Sequence, residues 1–71
     1  MKLPRDVSGE EAVRASRRLG FEKRRQSGSH AILRREGRTV VVPMHKTIKP
    51  GTLHGLIEQA GVTVEEFSRA R

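Results

Sequence analysis

His30, His45 and His54 are the side chains of this sequence best suited to move protons near neutral pH, because imidazole is the side chain whose unperturbed pKa lies there. His30 follows Gly28-Ser29, His45 follows Val42-Pro43-Met44, and His54 falls in a helical segment. If Glu36-Gly37 is a two-residue hairpin turn, Arg35 pairs with Arg38 and His30 with Pro43. The same register, continued, sets His45 opposite Gly28, and two imidazoles then approach each other at one end of the hairpin. A three-residue turn would shift that register by one. Spacing alone does not separate a catalytic histidine from a surface one, and His54, on the polar side of its helix, reads as surface. Neither His30 nor His45 has a nearby carboxylate or thiolate in sequence to complete a tetrahedral metal set. Glu22 and Glu36 are the closest candidates and read as solvated charges, so no metal site is expected. The chain has no cysteine, which excludes a thiolate zinc site, a disulfide framework and cysteine catalysis.

The basic residues form three groups: Arg14, Arg17 and Arg18; Lys23, Arg24 and Arg25; and Lys46 with Lys49. Fifteen Lys and Arg against eight Asp and Glu give +7 in 71 residues. That balance favours a polyanionic partner, either a nucleic acid or an acidic protein. Lys46, Lys49 and the helix start at Pro50 would put positive side chains beside exposed backbone N–H groups, a ready phosphate site. Phe21 and Phe67 are the only aromatic residues and both occupy core-like positions. A base-stacking platform for single strands is therefore absent, and contact with phosphate and ribose, which suits structured RNA, is the more natural mode.

These residues need a scaffold, and local signals supply one. Residues 1–7 form a lead-in with Pro4. Ser8 reads as a helix N-cap with Glu11 completing a capping box. Ala12, Val13, Ala15, Ser16 and Leu19 make the apolar stripe, in which Ser16 stands where a larger apolar residue would pack better. Gly20 closes the helix. Phe21 to Ser27 reads as a charged edge strand, Ser27-Gly28-Ser29 as a turn, His30 to Arg35 as a second strand, and Thr39 to Pro43 as a third. The second and third strands carry apolar residues at consecutive positions. One sheet face can then pack on helices, while the other would need a partner chain. His45 to Lys49 reads as a basic loop, and Pro50 as the first residue of a helix with Leu53, Leu56, Ile57 and Ala60 inward and Gly61 at its end. Thr63 and Glu66 make a capping box for a short last helix holding Val64 and Phe67. The expected class is α+β, with helices on one face of a three-stranded antiparallel sheet, as a single domain over residues 1–71. The longest apolar run, Val40 to Met44, is far short of a membrane span. The N-terminus has no signal-peptide core, so the expected location is cytoplasmic.

The ordered set Leu19-Gly20-Phe21, Gly28-Ser29-His30, Val42-Pro43-Met44-His45, Lys49-Pro50-Gly51-Thr52-Leu53 and Ala60-Gly61 resembles the HicA toxin family over nearly the whole chain. The resemblance implies the double-stranded-RNA-binding-domain fold, α-β-β-β-α, here with a short extra C-terminal helix. It implies a ribosome-independent mRNA endoribonuclease that needs no metal and no small-molecule cofactor, part of a type II toxin–antitoxin system and neutralised by a HicB-type antitoxin. The family's catalytic histidine maps onto His30. Around it, Gly28 and Ser29 would approach the RNA, Lys46 and Lys49 would neutralise phosphate, and His45 would be a further RNA contact or a second proton-transfer group. Two other readings stand beside this one: a non-catalytic RNA-binding module of the same fold, and a protein made only to bind an acidic partner. Charge alone does not separate the three.

Overall fold

The computed structural model describes residues 2–71; Met1, the first residue of the expected lead-in, lies outside them. The elements run α1 (Gly9–Arg18), β1 (Glu22–Ser27), β2 (His30–Arg35), β3 (Arg38–Pro43), α2 (Pro50–Ala60) and α3 (Val64–Ala70). The strands form one antiparallel sheet in the order β1-β2-β3. The architecture is therefore the expected α-β-β-β-α order followed by one more helix.

The β2–β3 hairpin fixes the geometry that matters most. Glu36 and Gly37 both have positive φ, +48° and +83°, the I′ pattern whose twist matches that of the flanking strands. Arg35 pairs with Arg38 and His30 with Pro43, which is the two-residue register. Alternation then sends Ala31, Leu33, Val40 and Val42 inward, all fully buried. His30, Ile32, Arg34, Thr39 and Val41 belong to the other face. On that outer face Val41 stays 39% exposed. β1 is exposed along its whole length and breaks register between Lys23 and Arg25. A charged, bulged edge of this kind resists pairing with other chains.

α1 packs across all three strands, α2 lies along β3, and α3 packs on α1 and α2. Phe21 and Phe67 are both in the core. Ser16 is 2% exposed, yet its hydroxyl donates to the Ala12 carbonyl at 2.8 Å, so the position tolerates a polar atom by satisfying it within its own helix. Two segments read as lead-in and basic loop contribute more than expected. Val7 and Ile48 are buried core residues, and the Ile48 N–H donates to the Val7 carbonyl at 2.8 Å. A single apolar residue in a polar segment has no periodicity to reveal it.

The capping signals are realised unequally. At α3 both halves of the box form: Thr63 N–H donates to Glu66 Oε1 at 2.9 Å, and Glu66 N–H to Thr63 Oγ1 at 3.0 Å. At α1 Ser8 Oγ accepts from the Glu11 N–H at 3.1 Å, but the Glu11 carboxylate pairs with Arg71 at 2.9 Å, joining α1 to the end of α3. The Arg71 hydrogen bond holds the Glu11 carboxyl below its ordinary range, and the Thr63 backbone and side chain do the same for Glu66. A carboxyl depressed in the folded state leaves the unfolded chain binding more protons, so stability is full above the ordinary glutamate pKa of about 4.3 and falls as pH drops through the folded values. The melting temperature is therefore expected to hold near neutrality and decline in acid. Thr63→Ala should lower it by about 4–8 °C, the loss of one cap in a domain this size, and make the acid decline shallower. Thermal melts followed by circular dichroism across pH test both.

Candidate active site

The hairpin end that carries His30 opens onto a cleft of about 400 Å³ lined by His30, Val41, Pro43, His45, Lys49 and Thr52. Each wall has an identifiable origin. His30 begins β2 immediately after the two-residue loop Gly28-Ser29, which connects the Ser27–His30 pair. Gly28 has φ +60°, the II′ requirement for glycine at the first loop position. A Cβ there would meet no protein atom within 4 Å, so conformation and not crowding selects glycine. Pro43 lies directly across from His30, and the Met44 N–H donates to the Ser29 carbonyl at 2.6 Å. This bond extends the ladder one residue beyond the last pair and leads His45 to the same cleft.

His45 is held from behind. The Gly9 N–H donates to the His45 carbonyl at 2.9 Å. A Cβ on Gly9 would lie 2.5 Å from the Pro43 carbonyl oxygen and 2.6 Å from Met44 Cα. The first turn of α1 therefore sits directly on the backbone that leads out of β3. The imidazoles of His30 and His45 make no side-chain hydrogen bond among the described residues, and both residues are exposed.

The opposite wall is the start of α2. Lys49 occupies the N-cap position and supplies no side-chain cap, Pro50 follows at the first turn, and no acidic residue stands in that turn. The helix-start N–H groups thus retain their positive end uncompensated, with the Lys49 and Thr52 side chains beside them. No carboxylate lines the cleft, and among the described residues no group of three or more His, Asp or Glu side chains gathers as a metal ion would need.

The structure thus brings three of the sequence-derived candidates, His30, His45 and Lys49, into one cleft. Gly28 and Ser29 shape the turn behind His30 without lining it, and Lys46 is exposed but outside the lining. His54 pairs with Glu58 on the solvent side of α2, Nδ1 to Oε1 at 2.9 Å. Sequence reasoning did not single out Val41 or Thr52 as site residues, nor Gly9 as the anchor of His45. Val41 could have been found from the register, since it precedes Pro43 by two and shares its face. Gly9 carried a weak signal, a poor helix former placed at the first position of an otherwise well-marked helix.

No helix is long and apolar enough to cross a membrane among the described residues. The family model for the HicA toxin of bacterial toxin–antitoxin systems matches residues 9–62, more than half of the 71-residue chain. No curated relative matches the sequence.

Proposed function

We propose that this chain, which belongs to the HicA family of bacterial toxins and is thereby the toxin of a toxin–antitoxin system, is an mRNA endoribonuclease with His30 as its general acid or base. It acts without the ribosome, without a metal and in the cytoplasm, as one domain over residues 1–71, and a HicB-type antitoxin neutralises it. The observation that carries this reading is the cleft that unites His30 with Lys49 and the start of α2, which has no side-chain cap and no acidic residue in its first turn. RNA carries its own nucleophile, the 2′-OH. The protein therefore needs only a side chain able to take or give that proton and positive charge or N–H donors where charge develops on the phosphate. His30 meets the first need. Lys49, with Lys46 nearby in the chain, meets the second. Gly28 and Ser29 border the RNA path behind His30.

The outer face of the sheet fits an inhibitor. Ile32, half-buried, and Val41, exposed, lie on it beside Arg25 and Arg34. A HicB-type antitoxin of acidic or mixed charge laid there would bury the apolar pair, neutralise the arginines and close the cleft. Incubation of the purified protein with an mRNA in EDTA tests the activity: fragments are expected, and an intact message at every protein concentration would overturn the nuclease reading and leave the RNA-binding and partner-binding ones, which RNA affinity at moderate salt then separates. Lys49→Gln should weaken RNA binding across sequences and lower the steepness of its salt dependence by about one unit, as for the loss of one phosphate contact. Titration of the binding constant against salt measures it.

A further inference from the structure

The cleft holds a second imidazole, and its chemistry assigns that group a task. Cleavage of RNA by its 2′-OH requires two proton transfers. One removes the proton of the attacking hydroxyl, and the other supplies a proton to the departing 5′-oxygen. The polar lining of the cleft consists of His30, His45, Lys49 and Thr52. Lys49 brings an ammonium that only donates hydrogen bonds and Thr52 a neutral hydroxyl, which suits them to holding phosphate rather than to taking up one proton and giving back another. The two imidazoles remain.

Resting on the nuclease reading above, we propose that His45 is a second catalytic residue, working with His30 as an acid–base pair that converts RNA into fragments ending in a 2′,3′-cyclic phosphate and a 5′-hydroxyl. One imidazole, neutral, takes the 2′-OH proton as the 2′-O–P bond forms. The other, protonated, gives its proton to the 5′-oxygen as the P–O5′ bond breaks. One proton is taken and one given, so no external oxidant, metal or water enters the step. Exchange with solvent then resets the pair. Lys49 offsets the charge that gathers on the non-bridging oxygens.

The placement of His45 is built rather than accidental. His30 is paired with Pro43, the Met44–Ser29 hydrogen bond carries the ladder on, and Gly9 fixes the His45 carbonyl. All of these contacts are made by backbone atoms, so the imidazole can be replaced without disturbing its mount. His54, the third histidine, is bound to Glu58 away from the cleft and serves as an internal control.

The test uses the whole chain and an oligoribonucleotide containing a site that the wild type cuts, together with its twin bearing sulfur in place of the 5′-bridging oxygen. Wild type, His30→Ala, His45→Ala, His45→Gln and His54→Ala are compared, with melting curves to verify folding. His45→Ala and His45→Gln are expected to slow cleavage by about 10²–10⁴-fold at an unchanged melting temperature, while His54→Ala cuts like wild type. The wild-type pH–rate profile should be a bell, and the His30 and His45 variants should lose opposite limbs. The sulfur leaving group needs no acid, so it should restore only the variant that lacks the acid. Cleavage by folded His45→Ala within a few-fold of wild type, a profile that keeps both limbs, or failure of sulfur to rescue either variant would overturn the pairing while leaving the nuclease reading in place. If the wild type cuts no RNA, the nuclease reading falls and the pairing with it.

Discussion

Replacing His30 by alanine is expected to slow RNA cleavage by about 10²–10⁴-fold while leaving the fold and antitoxin binding intact. The loss corresponds to about 3–5 kcal/mol of barrier. The same change should cost little stability. His30 is exposed at the first position of β2, its side chain makes no hydrogen bond among the described residues, and its role in the sheet is played by backbone atoms. Exposed substitutions of this kind usually fall within about 0.5 kcal/mol. The expected separation between a large kinetic effect and a small thermal one is what distinguishes a catalytic side chain from a structural one. Fragment yield with time, measured beside a melting curve, reads both. Cleavage at the wild-type rate by folded His30→Ala would move catalysis to another group in the cleft, while an intact fold with no cleavage and full antitoxin affinity would fix the role on the imidazole.

The site is legible in the sequence to the extent that it is built from local structure. Glu36-Gly37 determines a turn, the turn determines a register, and the register brings Pro43 opposite His30 and leads His45 toward the same end. Each step rests on residues a few positions apart. The capping box of α3 and the proline start of α2 are legible for the same reason. What escaped depends on packing between segments far apart in the chain. Glu11 has a near partner in the box pattern, yet its carboxylate goes to Arg71, 60 residues away. Val7 and Ile48 are single apolar residues in polar stretches, and only their mutual hydrogen bond and common burial make them core. Thr52 enters the cleft because α2 lies along β3, a placement that no spacing within α2 encodes. The two candidate imidazoles, His30 and His45, are thus readable from the hairpin, while the wall facing them and the anchor behind His45 are tertiary facts.

That anchor carries the second large effect. Gly9→Ala is expected to destabilise the protein by about 1–3 kcal/mol, the range for forcing atoms into a filled site, and to reduce cleavage further than the lost stability accounts for. The added methyl would sit 2.5 Å from the Pro43 carbonyl oxygen and 2.6 Å from Met44 Cα. Both are backbone atoms, so no side chain can swing away to make room. Either the start of α1 lifts or the segment after β3 moves. Both movements break the Gly9 N–H bond to the His45 carbonyl. His45 and Pro43 would shift relative to His30, and displacement of catalytic groups on the ångström scale is enough to cost about 10²-fold in rate. Two controls separate the site effect from simple unfolding. Ala at Gly55, on the same protein but with open space around its added Cβ, replaces a glycine inside α2 and should stabilise by about 0.5–1 kcal/mol through helix propensity. Measuring Gly9→Ala well below its melting temperature, where nearly all molecules are folded, isolates the rate of the native state. A folded Gly9→Ala protein that cleaves RNA at the wild-type rate would mean that the position of the His45 backbone does not matter to the reaction. A rate deficit that survives in the folded population would tie the packing of the first helix directly to the geometry of the imidazole pair.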